Sequence, residues 1–291
     1  VDPERIGLVH DAMTAIMDGG QGARSAVDIA CWDLLGKAHN RRICDLLGGA
    51  RMDPVSTYHV IPIGTPETSA QLAETLQAEG HTKLQLKSGG RHVDEDIDAI
   101  HAVARVTRPG VDLFVDCNRG WTVSETLLVS QACRDLKLVI EQPCATYAEC
   151  ATARKHLHHP LILDESATDL ATIARAISSG VADGFGMKLT RIGGISGMRA
   201  IRDLCHATNT PTSCDDSWGG DIIAAACVHV GSTFHPHLSR GAWISDPYQA
   251  KHYDDLHGPR IVNGTIAVPP GPGLGITIPD GYFGSPIASY A

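Results

Sequence analysis

Residues 113–116 read Leu-Phe-Val-Asp, residues 138–141 read Leu-Val-Ile-Glu, and residues 161–164 read Leu-Ile-Leu-Asp. Each is a short apolar run with the length of a buried strand, and each ends in an acid. Helical patterns, such as those at 94–106, 123–134 and 170–178, lie between most such runs, so strand and helix alternate along the chain. This alternation predicts βα units arranged around a parallel sheet.

The same rhythm continues on both sides of this central segment. Together with it, the candidate strands lie at 55–61, 83–87, 113–116, 138–141, 161–164, 184–188, 211–214 and 242–245. Eight βα units in about 200 residues are typical of a compact TIM-type barrel. We therefore predict an α/β fold of the (β/α) barrel class.

The segments outside the barrel have a different texture. Apolar residues recur at three- and four-residue steps in the N-terminal part, which predicts a helix with one apolar stripe formed by Ala23, Ala26, Val27, Ala30, Leu34 and Leu35. From Arg260 onward, Pro and Gly cluster at 269–275. We expect this tail to be loop and turn structure and not a further βα unit.

Charged side chains stand at the ends of consecutive predicted strands. Lys87, Asp116, Glu141, Asp164 and Lys188 follow one another at intervals of 23 to 29 residues, which is the length of one βα unit. The carboxyl ends of parallel barrel strands meet at one rim, where barrel active sites lie. We expect all five side chains at that rim.

Three acids on neighbouring strand ends would repel one another unless a cation lies between them. Mg²⁺ prefers oxygen ligands, so Asp116, Glu141 and Asp164 predict one magnesium ion per subunit. Asn118 and Glu165 follow these acids and are expected to orient them. The alternative is that each acid caps a helix in its βα loop, a common role for a single acid.

Lys87 and Lys188 flank the three acidic strands on either side. Partial burial and a nearby divalent cation both favour the neutral amine, so either lysine could act as a general base. The alternative is a solvated lysine or a simple salt bridge to one of the acids.

Composition excludes several other classes of function. The net charge of −9 without a basic cluster argues against nucleic-acid and anionic-membrane surfaces, and no apolar run approaches the roughly 18 residues of a membrane span. Nine scattered cysteines without a C-x-x-C pair indicate reduced thiols, and hence a cytoplasmic protein.

Several of these segments jointly resemble the enolase superfamily, in its mandelate racemase and muconate lactonizing group. The matching stretches are 26–37, 46–49, 84–87, 115–118, 140–143, 163–166 and 188–194. Within the group, 184–191, 213–221 and 141–144 are similar to the 4-hydroxyproline betaine 2-epimerases and their cis-3-hydroxyproline dehydratase relatives.

The resemblance implies Mg²⁺-dependent removal of the α-proton of a small carboxylate substrate. Trp243, 28 residues after Asp215, is expected at the eighth strand end, where the indole and the carboxylate could hold a quaternary ammonium. Gln85 stands where a K-x-K pair would have its first lysine, and is expected at the substrate.

The resemblance also implies a division of the chain and leaves three functions open. Residues 1–53 would be the remnant of a capping domain, 54–258 the barrel, and 259–291 a tail returning to the capping side. An uncovered apolar face on the remnant favours a homo-oligomer.

Of the three functions left open, the first is an epimerase of a proline-type amino acid or betaine. The alternatives are cis-3-hydroxy-L-proline dehydration and a metal-binding barrel without its cap and without turnover.

Overall fold

The structure, a computed structural model, describes residues 1–288 and begins with three helices, α1 (Ile6–Ile16), α2 (Gln21–Ala38) and α3 (Ile43–Leu46). Short strands and helices then alternate. The strands are β1 (Val55–Ser56), β2 (His59–Ile61), β3 (Lys83–Lys87), β4 (Asp112–Asp116), β5 (Val139–Glu141), β6 (Leu161–Leu163), β7 (Gly184–Phe185), β8 (Ile261–Val262) and β9 (Thr265–Ile266). The later helices are α4 (Pro66–Ala78), α5 (Val93–Val106), α6 (Val123–Ala132), α7 (Tyr147–Arg154), α8 (Leu170–Ser178), α9 (Ile195–Ala207) and α10 (Gly220–Ser232).

Strands β2 to β7 form one parallel sheet in chain order. Its register pairs Lys87 with Asp116, and Asp116 with Glu141. Paired residues on neighbouring strands lie side by side, so these three strand ends meet at one edge of the sheet.

The sheet closes on itself through the chain between 211 and 245. Single parallel bridges join Phe185 to Thr212 and Thr212 to Ser239. The amide of Ala242 then donates to the carbonyl of Ser56 at 3.0 Å, which connects the last segment to the first. The predicted (β/α) barrel is confirmed.

The segments 211–214 and 242–245, predicted as the last two barrel strands, differ from the prediction. The first has single bridges at Thr212, and the second has no assigned strand residue. Acidic side chains take backbone donors that a strand ladder would use. The Trp243 amide donates to Asp215 Oδ1 at 3.0 Å. The Ser245 amide donates to Asp216 Oδ2 at 2.8 Å. At this point of the barrel, the carboxylates of Asp215 and Asp216 accept hydrogen bonds that strand carbonyls would accept in a regular sheet.

The tail is more regular than predicted, since β8 and β9 form a hairpin. β9 pairs antiparallel with β1, and this pairing divides the predicted strand 55–61 into β1 and β2. Asn263 and Gly264 have φ values of 50° and 70°, as a two-residue type I′ turn requires. The Asn-Gly pair was therefore a hairpin signal that the prediction missed.

Helix α2, 18 residues long, turns most of its predicted apolar stripe to solvent. Val27 and Leu34 on that stripe are 42% and 51% exposed. The buried face instead carries Asp28, Ile29 and Trp32, because its polar groups bind the start of α9. Within residues 1–288, no helix is both long and apolar enough to cross a membrane.

Asp96 on α5 is a fully buried carboxylate that joins two loops at the carboxyl ends of the parallel strands. It accepts hydrogen bonds from the Gly89 amide at 2.8 Å and from Arg91 Nε at 2.7 Å, both in the loop after β3. It also accepts from Trp121 Nε1 at 2.8 Å, in the loop after β4. One carboxylate thus fixes the loops that follow Lys87 and Asp116.

Replacing Asp96 by Ala should lower the free energy of unfolding by about 3 kcal/mol, because the half-buried guanidinium of Arg91 loses its counter-charge and the Trp121 indole loses its acceptor. Urea denaturation followed by circular dichroism measures the change. Asp94→Ala, whose side chain is 78% exposed in the first turn of the same helix, is the matched control and should cost at most about 1 kcal/mol. Equal losses for the two variants would contradict this role of Asp96.

Candidate active site

A cavity of about 390 Å³ opens at the carboxyl ends of the parallel strands, and most of the predicted site residues line it. Those in its wall are Gln85, Lys87, Asp116, Asn118, Asp164, Lys188, Asp215 and Trp243. Glu141 lines a second, smaller cavity, together with Gln85 and residues of the barrel interior. Glu165 contacts the site through Asn118.

Five further residues line the larger cavity and were not among the predicted site residues: Tyr58, Val60, Asp216, Trp218 and Tyr248. Val60 pairs with Gln85 across β2 and β3, so strand alternation places Tyr58 and Val60 on the same interior side. Strand alternation would therefore have identified Tyr58 and Val60, had the register between β2 and β3 been known from the sequence. Trp218 and Tyr248 lie outside the strands and gave no comparable signal.

Lys87 binds two of the predicted residues. Its Nζ donates to Asp116 Oδ2 at 2.5 Å and to Asn118 Oδ1 at 3.0 Å. The Asn118 amide nitrogen Nδ2 in turn donates to Glu165 Oε1 at 3.2 Å. These contacts form one chain from the lysine to the loop after β6, and they fix where the lysine amine lies.

Lys188 binds Asp164 on the other side of the site, with Nζ 2.9 Å from Oδ2. Arg191, which the sequence prediction did not include, places Nη2 at 2.6 Å from Asp164 Oδ1. Burial alone would lower the pKa of Lys188, but the Asp164 and Asp215 carboxylates outweigh it and raise this pKa above its ordinary value. Lys188 is therefore held as an ammonium group in this arrangement.

Glu141 is the acid with the least compensation. It accepts a hydrogen bond from Gln85 Nε2 at 3.0 Å. Burial and the neighbouring Asp116 and Asp164 carboxylates raise the pKa of Glu141 well above its ordinary range. A Cβ built on Gly186 would lie 2.7 Å from Glu141 Oε1 and 3.5 Å from Asp164 Cγ. Glycine at 186 therefore leaves space for the carboxylates of both Glu141 and Asp164 next to its Cα.

Asp215 lies near three aromatic side chains, those of Trp218, Trp243 and Tyr248, at the mouth of the cavity. Burial raises the pKa of Asp215 to about 6, although Lys188 and the Ser213 hydroxyl oppose the shift. The ring of Trp218 lies 5.2 Å from that of Trp243 and 5.3 Å from that of Tyr248, measured between centroids. Three rings beside a carboxylate form a surface that can hold an organic cation.

The acids at this rim fit a hard divalent cation. Asp116, Glu141 and Asp164 offer carboxylate oxygens, the ligands that Mg²⁺ prefers. Glu165 Oε2 is buried and accepts no hydrogen bond from residues 1–288, so acceptor capacity remains beside these acids. As they stand, no three acidic, His or Cys side chains in that range form a group able to hold an ion. The reason is that each acid faces its own lysine, arginine or amide.

Fold and rim together define a (β/α) barrel enzyme whose site lies at the carboxyl ends of its strands. The family model described as enolase C-terminal domain-like matches residues 67–281. The model of the mandelate racemase / muconate lactonizing enzyme N-terminal domain matches residues 1–48. The chain belongs to the enolase superfamily, in its mandelate racemase and muconate lactonizing group, as the sequence motifs predicted.

Relatives of known activity and solved structure support the same assignment. The chain is 38% identical to cis-3-hydroxy-L-proline dehydratase of Roseibium aggregatum, over the whole chain and 78% of that protein. It is 32% identical to N-succinyl-L-Arg/Lys racemase of Bacillus cereus, over 67% of the chain and 53% of that protein. A member of the enolase superfamily from Roseovarius nubinhibens ISM, solved in complex with magnesium, is 29% identical with a TM-score of 0.95, covering 100% of this chain and 79% of that one.

Gly186→Ala should weaken Mg²⁺ binding by about 10–100-fold, because the added methyl group displaces Glu141 or Asp164. Isothermal calorimetry with MgCl₂ measures the affinity. Gly22→Ala, at a position with no heavy atom within 4 Å of the added Cβ, is the control and should bind as the wild type does. An unchanged affinity in the folded Gly186 variant would show that these two acids do not hold the ion.

Proposed function

We propose that this chain removes the α-proton of a cyclic amino-acid carboxylate, and that its reaction is the dehydration of cis-3-hydroxy-L-proline. The observation that carries the proposal is the presence of two lysines, Lys87 and Lys188, in the wall of one cavity. The sequence alone favoured an epimerase. The 38% identical dehydratase, matched over the whole chain, is the reason to place dehydration first.

The two lysines approach the cavity from opposite sides of the barrel. Lys87 ends β3 and Lys188 follows β7, which is four positions further along the parallel sheet. In a barrel of eight positions, four steps are half of the circumference. A flat ring bound between these amines would present one face to each lysine.

Asp116, Glu141 and Asp164 are the residues that would hold Mg²⁺ in this proposal, with Asn118 and Glu165 orienting them. Bound there, Mg²⁺ would supply Lewis-acid stabilisation of the charge that develops on the substrate carboxylate. Asp116 and Asp164 also hold the amines of Lys87 and Lys188. The same acids thus position both proton-transfer groups.

The stereochemistry of the substrate fits two opposed lysines. In cis-3-hydroxy-L-proline the hydroxyl and the carboxylate share one face of the ring, so the α-proton and the hydroxyl lie on opposite faces. One lysine amine takes the α-proton, and the electron pair forms the C2–C3 double bond. The C3–O bond breaks, and the other lysine, as an ammonium, protonates the oxygen, which leaves as water. The enamine product then tautomerises to a cyclic imine.

This geometry predicts selectivity between the two 3-hydroxyproline diastereomers. Wild-type protein with Mg²⁺ should form the cyclic imine from the cis isomer, and at least about 10²-fold more slowly from the trans isomer, whose hydroxyl faces away from the acid lysine. Trapping the imine with 2-aminobenzaldehyde measures both rates. Equal rates would contradict the opposed-lysine arrangement, and no imine from either isomer would reject dehydration.

Separate lysine variants should divide the reaction into its two halves. Lys87→Ala and Lys188→Ala should each lower dehydration by about 10²–10⁴-fold. Only the variant that lacks the base should also lose exchange of the α-proton in D₂O, because the acid acts after that bond has broken. Proton NMR of cis-3-hydroxy-L-proline measures the exchange. Loss of exchange in neither variant would show that another group is the base.

A second candidate, 2-epimerisation of a proline-type betaine, is supported by the aromatic group beside Asp215. Trp218, Trp243 and Tyr248 could contact a quaternary ammonium, while opposed lysines could remove a proton from one face and return it to the other. Exchange of the α-proton of hydroxyproline betaine in D₂O, with appearance of the second epimer, would select this function. Mg²⁺ binding without exchange for any of these carboxylates would favour the non-catalytic barrel.

A further inference from the structure

Tyr58 lies where the last and first segments of the barrel meet, and it takes no part in the proposed proton transfers. It stands between β1 and β2, next to the point where the Ala242 amide binds Ser56 and closes the barrel. Its side chain lines both the larger cavity and the smaller one that contains Glu141. Gln85 is the other residue common to the two cavities. Tyr58 therefore lies between the larger cavity, where we propose that substrate binds, and the part of the barrel that contains Glu141.

The phenol of Tyr58 differs from its neighbours in having no acceptor. Around it, Gln85 donates to Glu141, and the Ser213 hydroxyl donates to Asp215 at 2.7 Å. Within residues 1–288 the Tyr58 hydroxyl makes no hydrogen bond to protein, and it is not sealed from the cavity. A phenol has an ordinary pKa of about 10, so this hydroxyl keeps its proton at neutral pH. It is a neutral donor that faces the cavity.

We propose that the Tyr58 hydroxyl donates a hydrogen bond to the ring hydroxyl of the bound substrate. The inference rests on the proposed dehydration. In the cis isomer the 3-hydroxyl lies beside the carboxylate, on the same face of the ring. A substrate whose carboxylate is bound near Asp116, Glu141 and Asp164 would therefore place its hydroxyl near the same acids. Tyr58 borders Glu141 there, whereas Tyr248, the other phenol in the cavity wall, is 50% exposed at the mouth.

The hydrogen bond would hold the leaving oxygen, and no proton passes from Tyr58. The proton that completes water still comes from the acid lysine. Tyr58 would therefore be a substrate-binding residue that distinguishes a hydroxylated ring from a plain one. An acceptor that is present only on the hydroxylated substrate makes this role separable from carboxylate binding.

The test compares two ligands in Tyr58→Phe, which removes one oxygen and keeps the ring. Dehydration of cis-3-hydroxy-L-proline gives kcat/KM, and L-proline, which lacks the hydroxyl, gives a competitive inhibition constant. We expect kcat/KM to fall by about 3–10-fold, the effect of one lost hydrogen bond, and the L-proline constant to stay within about twofold. Tyr147→Phe removes a phenol on α7 that binds Ser179 away from the cavity, and should change neither quantity.

Each other outcome overturns the inference in a recognisable way. A parallel loss of L-proline inhibition would mean that Tyr58 binds the carboxylate or supports the fold, and thermal unfolding of the variant would separate those two. An unchanged kcat/KM would mean that the hydroxyl contacts nothing on the substrate. If the wild-type protein does not dehydrate cis-3-hydroxy-L-proline, the proposed function fails, and this inference fails with it.

Discussion

The arrangement at the barrel rim depends on balancing buried like charges. Asp116, Asp164, Asp215 and Asp216 are each at most 2% exposed, and Glu141 lies beside them. Carboxylates removed from water at such short range cannot all stay ionised without counter-charge. Lysines, an arginine and backbone amides supply it here. Because these partners come from different βα units, the barrel must close in one register for the acids to be tolerated, and this requirement links the fold to its site.

Much of the rim could be predicted from the sequence, because strand periodicity is local information. Strands β3, β4 and β5 end at Lys87, Asp116 and Glu141 as predicted, while Asp164 and Lys188 follow the ends of β6 and β7. Arg191 and Tyr58 could not be found in this way, since their roles depend on which strands are neighbours. The irregular segment 242–245 has the same origin: its Trp243 and Ser245 amides bind the Asp215 and Asp216 carboxylates, an exchange that no local pattern reveals.

The helices also show what hydrophobic periodicity leaves out. The apolar stripe of α2 is present and largely exposed, and Asp28 on the opposite, buried face contacts His10 and Ser196. Helix α7 was not predicted, although Thr146 and Glu149 form a capping box at its start. Polar anchors and caps thus carry information on these two helices that hydrophobic periodicity does not.

The proposed chemistry requires Asp116, Glu141 and Asp164 each to turn an oxygen toward one shared ion, while Asp116 and Asp164 still position Lys87 and Lys188. The most direct measurement is a crystal structure of the protein with Mg²⁺ and L-proline. We expect one arrangement, with one ion per chain, an oxygen of each of the three acids at about 2.1 Å from it, and the ring between the amines of Lys87 and Lys188. An ion bound elsewhere, or lysine amines directed away from the ligand, would contradict it.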